Sequence, residues 1–173
     1  GSAFRDTQLT SVVIPEGVKS IGSAAFMGSA LTSVELPSTL TSIANDVFRD
    51  TQLTSVVIPE GVKSIGSAAF WGTQLTSVQL PSTLTTIGGS AFRDTQLTSV
   101  VIPEGVTSIA SDAFTGTSLT SVQLPSTITT IGDNAFGSDV AVNNTPTGTV
   151  SISGTPTEGE VLTAANTLAD RDG

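Results

Sequence analysis

Cysteine, histidine and tyrosine are absent from the 173 residues, and tryptophan and methionine occur once each. Without thiols or imidazoles there is no disulfide framework, no thiol nucleophile, no imidazole acid–base chemistry, and no zinc or iron–sulfur centre in the usual ligand sets. Charge is scarce too. Only 12% of the residues are charged, six Lys or Arg against fifteen Asp or Glu, which leaves a formal net charge of −9. Phosphate backbones and anionic lipid surfaces are held by clustered cations, so nucleic acid is excluded as a partner. The apolar runs are too short to span a membrane, and no membrane insertion is expected. No Met opens the chain and no charged-then-apolar leader precedes the first pattern, as expected of a piece cut from a larger protein with neighbouring domains on both sides.

What the chain does have is a strict period. All seven Phe (Phe4, Phe26, Phe48, Phe70, Phe92, Phe114 and Phe136) are spaced 22 residues apart, and Pro15, Pro37, Pro59, Pro81, Pro103 and Pro125 keep the same step. Leu9, Val12, Ile14, Val18 and Ile21 recur with them, down to Leu119, Val122, Leu124, Ile128 and Ile131. Such uninterrupted self-similarity is the signature of a solenoid whose coils pack only on their neighbours. A second period of 44 lies over the first: VVIPEGV begins at Val12, Val56 and Val100, and V(E/Q)LPST at Val34, Val78 and Val122. Duplication of a coil pair explains this, as does a requirement for a regular surface.

Within a coil, Val12 and Ile14 lie two apart and point to one face of a strand, with Val13 pointing outward. Pro15 ends the strand because it has no N–H for a neighbouring rung. Stacking predicts a parallel sheet of short strands about 4.7–4.9 Å apart. Position 17 alternates between glycine (Gly17, Gly61, Gly105) and threonine (Thr39, Thr83, Thr127), so this turn is expected not to require positive φ. Three residues before each Phe stands Ser23, Asn45, Ser67, Gly89, Ser111 or Asp133, the helix N-cap set, which predicts one short helical turn per coil ending near Gly28 or Asp50. The Phe side chains are expected to be buried between coils. About six apolar side chains per coil contribute roughly 1.5–3 kcal/mol each before entropy is subtracted.

LTSVVIP, GVKSIG and SAAF together resemble the leucine-rich repeats of bacterial surface proteins of the BspA-like group, from Gly1 to about Gly137. The interval from Phe4 to Leu9 is tighter than is common in that family. The resemblance implies a right-handed leucine-rich-repeat solenoid, mainly β with short helical turns and a parallel sheet on one face. It also implies an extracellular or cell-surface location and a role in attachment.

The periodic part is expected over residues 1–137, a cap and polar linker over 138–148, and the start of a truncated β-sandwich module over 149–173. In that tail Val150 and Ile152 share a strand face, Thr155 to Gly159 reads as a turn, and Val161 to Ala165 as a second strand. The tail is similar to the opening of Ig-like or cadherin-like adhesin modules. Two strands alone do not enclose a core.

Candidate sites come as rows. The outward strand ladder is Val13, Glu35, Val57, Gln79, Val101 and Gln123, beside Ser11, Ser33, Ser55, Ser77, Ser99 and Ser121. This strip suits docking of a protein or cell-surface glycan, and equally suits a strand kept soluble. A second row sets Arg49 and Arg93 on either side of Trp71, for a ligand contact or for local packing through guanidinium–indole stacking. Asp6, Asp50 and Asp94, and Glu16, Glu60 and Glu104, recur two coils apart, roughly 9.5 Å, too far to share a calcium ion, and read as solvated charge. Asp170 and Asp172, within Asp-Arg-Asp-Gly, are weak calcium candidates by resemblance to related modules. No cofactor and no other metal site is indicated. A Thr row (Thr41, Thr85, Thr129) fit for ice is interrupted by Lys19 and Lys63. Serines have no His to activate them, and no Gly-Lys-Ser/Thr loop is present. Because every polar group is repeated, catalysis in one preorganised pocket is not expected. Two roles remain: a non-enzymatic attachment module, or a spacer with no ligand of its own.

Overall fold

The computed structural model describes residues 1–144 and, beyond them, the strands at 150–152 and 164–166. In chain order the strands are β1 (Ser11–Val13), β2 (Ser33–Glu35), β3 (Ser42–Ile43), β4 (Ser55–Val57), β5 (Ser64–Ile65), β6 (Ser77–Gln79) and β7 (Thr86–Ile87). They continue with β8 (Ser108–Ile109), β9 (Ser121–Leu124), β10 (Thr130–Ile131), β11 (Ala141–Asn144), β12 (Val150–Ile152) and β13 (Ala164–Asn166). With each coil counted from its Phe, the first starts at Phe4 and the sixth at Phe114. The result is a parallel β-solenoid of about six turns.

The Phe spine forms as the spacing predicts. Successive rings from Phe4 to Phe136 stack with centroids 5.2–5.7 Å apart and planes within 5–19° of parallel. The five inner rings are fully buried, whereas Phe4 on the first coil is 47% exposed. At this corner each Phe N–H from Phe4 to Phe114 donates to the carbonyl one coil ahead, as Phe26 does to Val47 at 3.0 Å and Phe70 to Ala91 at 2.8 Å.

Two expectations are corrected here. The turn before each Phe is not helical, and no helix occurs among the described residues. Alternate N–H groups (Ala24, Phe26, Gly28) donate to the next coil, while Ala25, Met27 and Ser29 close three-residue turns onto Gly22, Ala24 and Phe26. Half of the donors are thus committed sideways, and an i→i−4 ladder cannot propagate. Left-handed residues such as Ala24 (φ 56°), Asp50 (φ 55°) and Gly72 (φ 69°) punctuate these nested turns. At position 17 the glycines do adopt positive φ (94°, 99° and 113°), whereas the threonines do not. The two residues hold each other: Gly17 N–H donates to Thr39 Oγ1 at 3.0 Å, and that hydroxyl donates to Val18 O at 2.8 Å.

A sheet that sequence reasoning missed runs through every junction from the second coil to the sixth. It is the five-stranded parallel sheet β3-β5-β7-β8-β10, in a register of 22 residues. The strand face is less continuous than expected. There β1 pairs only with β2, β4 with β6 and β9 with β11, and Ser99–Val101 of the fifth coil forms no strand. β11 meets β9 with Ala141 opposite Ser121, an offset two residues shorter than the repeat, so part of the expected cap is a further rung. In the tail, β12 and β13 pair antiparallel; Asp170 and Asp172 lie outside the described residues.

A hydroxyl row, buried in its middle coils, stands three residues after each Phe from Phe4 to Phe114. Thr7, Thr51, Thr73, Thr95 and Thr117 each donate to the Phe carbonyl at 2.8–2.9 Å. Ser29 holds the same place, 1% exposed, and its Oγ has no partner. Ser29→Thr is therefore expected to stabilise the fold by about 1 kcal/mol, because the threonine rotamer seen in the other coils satisfies the buried hydroxyl. A urea unfolding curve measures this, and an unchanged or lower midpoint contradicts it.

Candidate functional site

The strand face is built from alternation. Val12, Val34, Val56, Val78, Val100 and Val122 turn toward the core, while the residues on either side of each turn out. Every member of the expected outward row (Val13, Glu35, Val57, Gln79, Val101 and Gln123) is exposed, and so are the six serines beside it. Val13 and Val57, on β1 and β4, stand 67% and 64% exposed, and Val101, where the fifth coil forms no strand, 83%. Glu35 is the one charged residue in these two rows.

Where the rungs fail to pair, the face opens. A groove of about 340 Å³ lies between the second and third coils, and a smaller one of about 140 Å³ between the fifth and sixth. In paired coils the ladder is extended by Ile14 N–H donating to Glu35 O at 3.0 Å and Ile58 N–H to Gln79 O at 3.1 Å. Among the described residues no equivalent bond joins Leu36 to Val57.

The glutamates expected to be solvated are instead fastened to the next coil. Glu16 accepts from Ser38 N–H and Ser38 O–H, both at 2.9 Å; Glu60 does the same with Ser82, and Glu104 with Ser126. The backbone donor first and the hydroxyl second hold the Glu16 and Glu60 carboxyls below the ordinary glutamate value. A folded value below the unfolded one contributes stability that is present above the unfolded value and is lost as pH falls through the folded one. The Glu16→Gln, Glu60→Gln double variant is therefore expected to lose stability less steeply than wild type between about pH 6 and about pH 3. Urea midpoints across that range test it, and identical acid limbs would refute it. These stitches, with the Gly17–Thr39 pair, link a glycine coil forward to a threonine coil, and so give the 44-residue period a structural role.

The Trp71 row forms as the spacing suggests. Arg49 Cζ lies 4.1 Å from the indole centroid and Arg93 Cζ 5.4 Å, reaching from the preceding and following coils. Trp71 Nε1–H donates to Asp94 Oδ2 at 2.9 Å. Arg49 pairs with Asp46 and Asp50 at 3.3 Å, and Arg93 with Asp94 and Asp112 at 3.6 and 3.8 Å. The indole is thus engaged both by its ring and by its N–H. Sequence reasoning missed the carboxylate half of this cluster: Asp46, Asp50 and Asp94 stand within three residues of their arginines, while the Trp71–Asp94 bond crosses to the next coil.

Among the described residues no helix is long and apolar enough to cross a membrane. A comparison with protein families matches a BspA type leucine rich repeat region, in six copies, to residues 1–116 and 91–152. The match stops short of most of the tail, whose likeness to an adhesin module is not supported by it. Among solved structures the chain is similar to a leucine-rich repeat protein from Bacteroides ovatus, with 22% identity and a TM-score of 0.66 over 78% of this chain and 43% of that one. It is also similar to a leucine-rich repeat protein from Eubacterium ventriosum, with 24% identity and a TM-score of 0.58 over 77% and 37%. A leucine rich cell surface protein from Faecalibacterium prausnitzii aligns with 28% identity and a TM-score of 0.49 over 78% and 43%. No curated protein matches significantly. The chain spans about two fifths of the length of these solved proteins. With most of its length matched by the repeat signature and its rungs stacked in the same register, the chain belongs to the BspA-type leucine-rich repeat family.

Proposed function

We propose that the chain is a non-enzymatic protein-binding module of a cell-surface or secreted protein, and that it presents its strand face to the partner. The observation that carries this reading is the row Val13, Val57 and Val101, three strongly exposed apolar side chains on a face that is otherwise hydroxyl and amide but for the Glu35 carboxylate. Exposed apolar surface rimmed by polar groups is a usual mark of an interaction site. Glu35, Gln79 and Gln123 supply the polar complement, and a glycan partner would be held chiefly through those groups and the serines. Arg49, Trp71 and Arg93 act in this reading as a brace between coils, because each guanidinium already has carboxylate partners. The repetition of most polar groups from coil to coil argues against catalysis.

The test is immobilised extracellular-matrix proteins and whole cells probed with wild type, Val57→Lys and Gln79→Lys. Saturable binding that falls in both variants supports the strand face, and binding unchanged in both moves the site elsewhere. Failure to find any saturable partner would favour a spacer role.

A further inference from the structure

We propose that the groove between the second and third coils receives a lysine- or arginine-bearing extended segment of a protein partner, a reading that deepens the strand-face function and rests on it. Three observations converge at that place. The first is the lapse of the ladder between β2 and β4, which leaves the Leu36 N–H and Val57 carbonyl without the rung-to-rung bond made by Ile14 and by Ile58. Backbone groups left without a rung-to-rung partner are what an incoming extended chain pairs with. At the same junction the Phe26–Phe48 step, 5.7 Å, is the longest in the spine.

The second is the lining of the groove, in which Val34, Leu36, Val57 and Pro59 make an apolar wall beside Thr32 and Glu35. A wall of this kind suits the methylene stem of a long cationic side chain, whose charged head must still reach water or a carboxylate. The third is charge. Glu35 makes no ion pair among the described residues, and no Lys or Arg lines the groove. With the chain at −9 overall, long-range attraction also favours a basic partner.

The smaller groove between the fifth and sixth coils supplies the internal contrast. Its carboxylate, Glu104, is already occupied by Ser126, and the position equivalent to Glu35 is Gln123. Only the larger groove therefore offers an apolar wall together with an uncommitted carboxylate.

The experiment is amide chemical-shift mapping of the full 173-residue chain titrated with a short synthetic peptide alternating Lys and Val, and with its Glu–Val counterpart. The expected result is saturable shifts confined to residues 32–36 and 55–59 with the basic peptide alone, weakening as salt rises. Glu35→Gln, a change at an exposed side chain, is expected to weaken this binding by roughly fivefold, the scale of a surface ion pair. Equal binding of the two peptides, or an affinity unchanged in Glu35→Gln, overturns the proposal. Shifts centred on residues 77–80 and 99–102 instead would overturn the groove while leaving the strand-face reading intact. If the peptide leaves the strand face unperturbed and matrix binding survives Val57→Lys and Gln79→Lys, both fail.

Discussion

Phe70→Ala is expected to destabilise the fold by about 3–5 kcal/mol, the range for removing a buried aromatic ring from a packed interior. Phe70 is wholly enclosed, with Phe48 at 5.5 Å on one side and Phe92 at 5.3 Å on the other. Its loss removes two stacking contacts and leaves a hole in the middle of the spine, where the flanking rings are anchored by their own N–H bonds to the next coil and cannot close in. Phe4→Ala is the matched control: its ring touches one neighbour and is half in water, so the loss should be well under that of Phe70. Urea unfolding followed by far-ultraviolet circular dichroism gives both values. A Phe70→Ala loss no larger than that of Phe4→Ala would show that the sheets and stitches, rather than the rings, hold the coils together.

Ala91→Leu is expected to cost about 1–3 kcal/mol by the opposite route, overpacking. Ala91 precedes Phe92, is fully buried, and its carbonyl accepts the Phe70 N–H at 2.8 Å, which fixes the backbone where extra methylenes need room. The same position is Ala25, Ala69, Ala113 and Ala135 in other coils and Val47 in the second, where valine is also fully buried. One coil therefore accommodates two more methyl groups, which sets Ala91→Val as the milder comparison. If Ala91→Leu unfolds at the wild-type midpoint, a void exists beside the spine, contrary to the packing described.

Much of this was legible in the sequence because a period multiplies its own signal. Seven Phe at one spacing leave little choice but a stacked row, and Val12–Val13–Ile14 fixes which side chains face out whether or not the rungs bond. What the spacing could not convey was which backbone donors are spent within a coil and which between coils. For that reason Ser23 and its counterparts looked like helix caps. The residue after them is Asp46, Ser90, Asp112 or Asn134 in four coils, and three of those four are Asp or Asn, the residues that tolerate positive φ best. Ala24 and Ala68 at the same place hid that cue. The Glu16–Ser38 stitch was hidden for another reason, since an isolated exposed glutamate resembles any other solvated charge. The available signal was pairwise: Glu-Gly at 16–17, 60–61 and 104–105 is always followed 22 residues later by Ser-Thr. The missed sheet through Ile43, Ile65, Ile87, Ile109 and Ile131 had its own cue in the Ser-Ile and Thr-Ile steps, two-residue strands too short to show alternation.

The directional stitching gives the array a parity. Excising 44 residues would leave each donor facing an acceptor of its own kind, whereas excising one serine-bearing coil of 22 would set two glutamate-bearing turns against each other and leave one carboxylate without the serine that donates to it. Growth or shortening of such a chain by even numbers of coils therefore keeps its seams matched, and odd steps leave a flaw at the join.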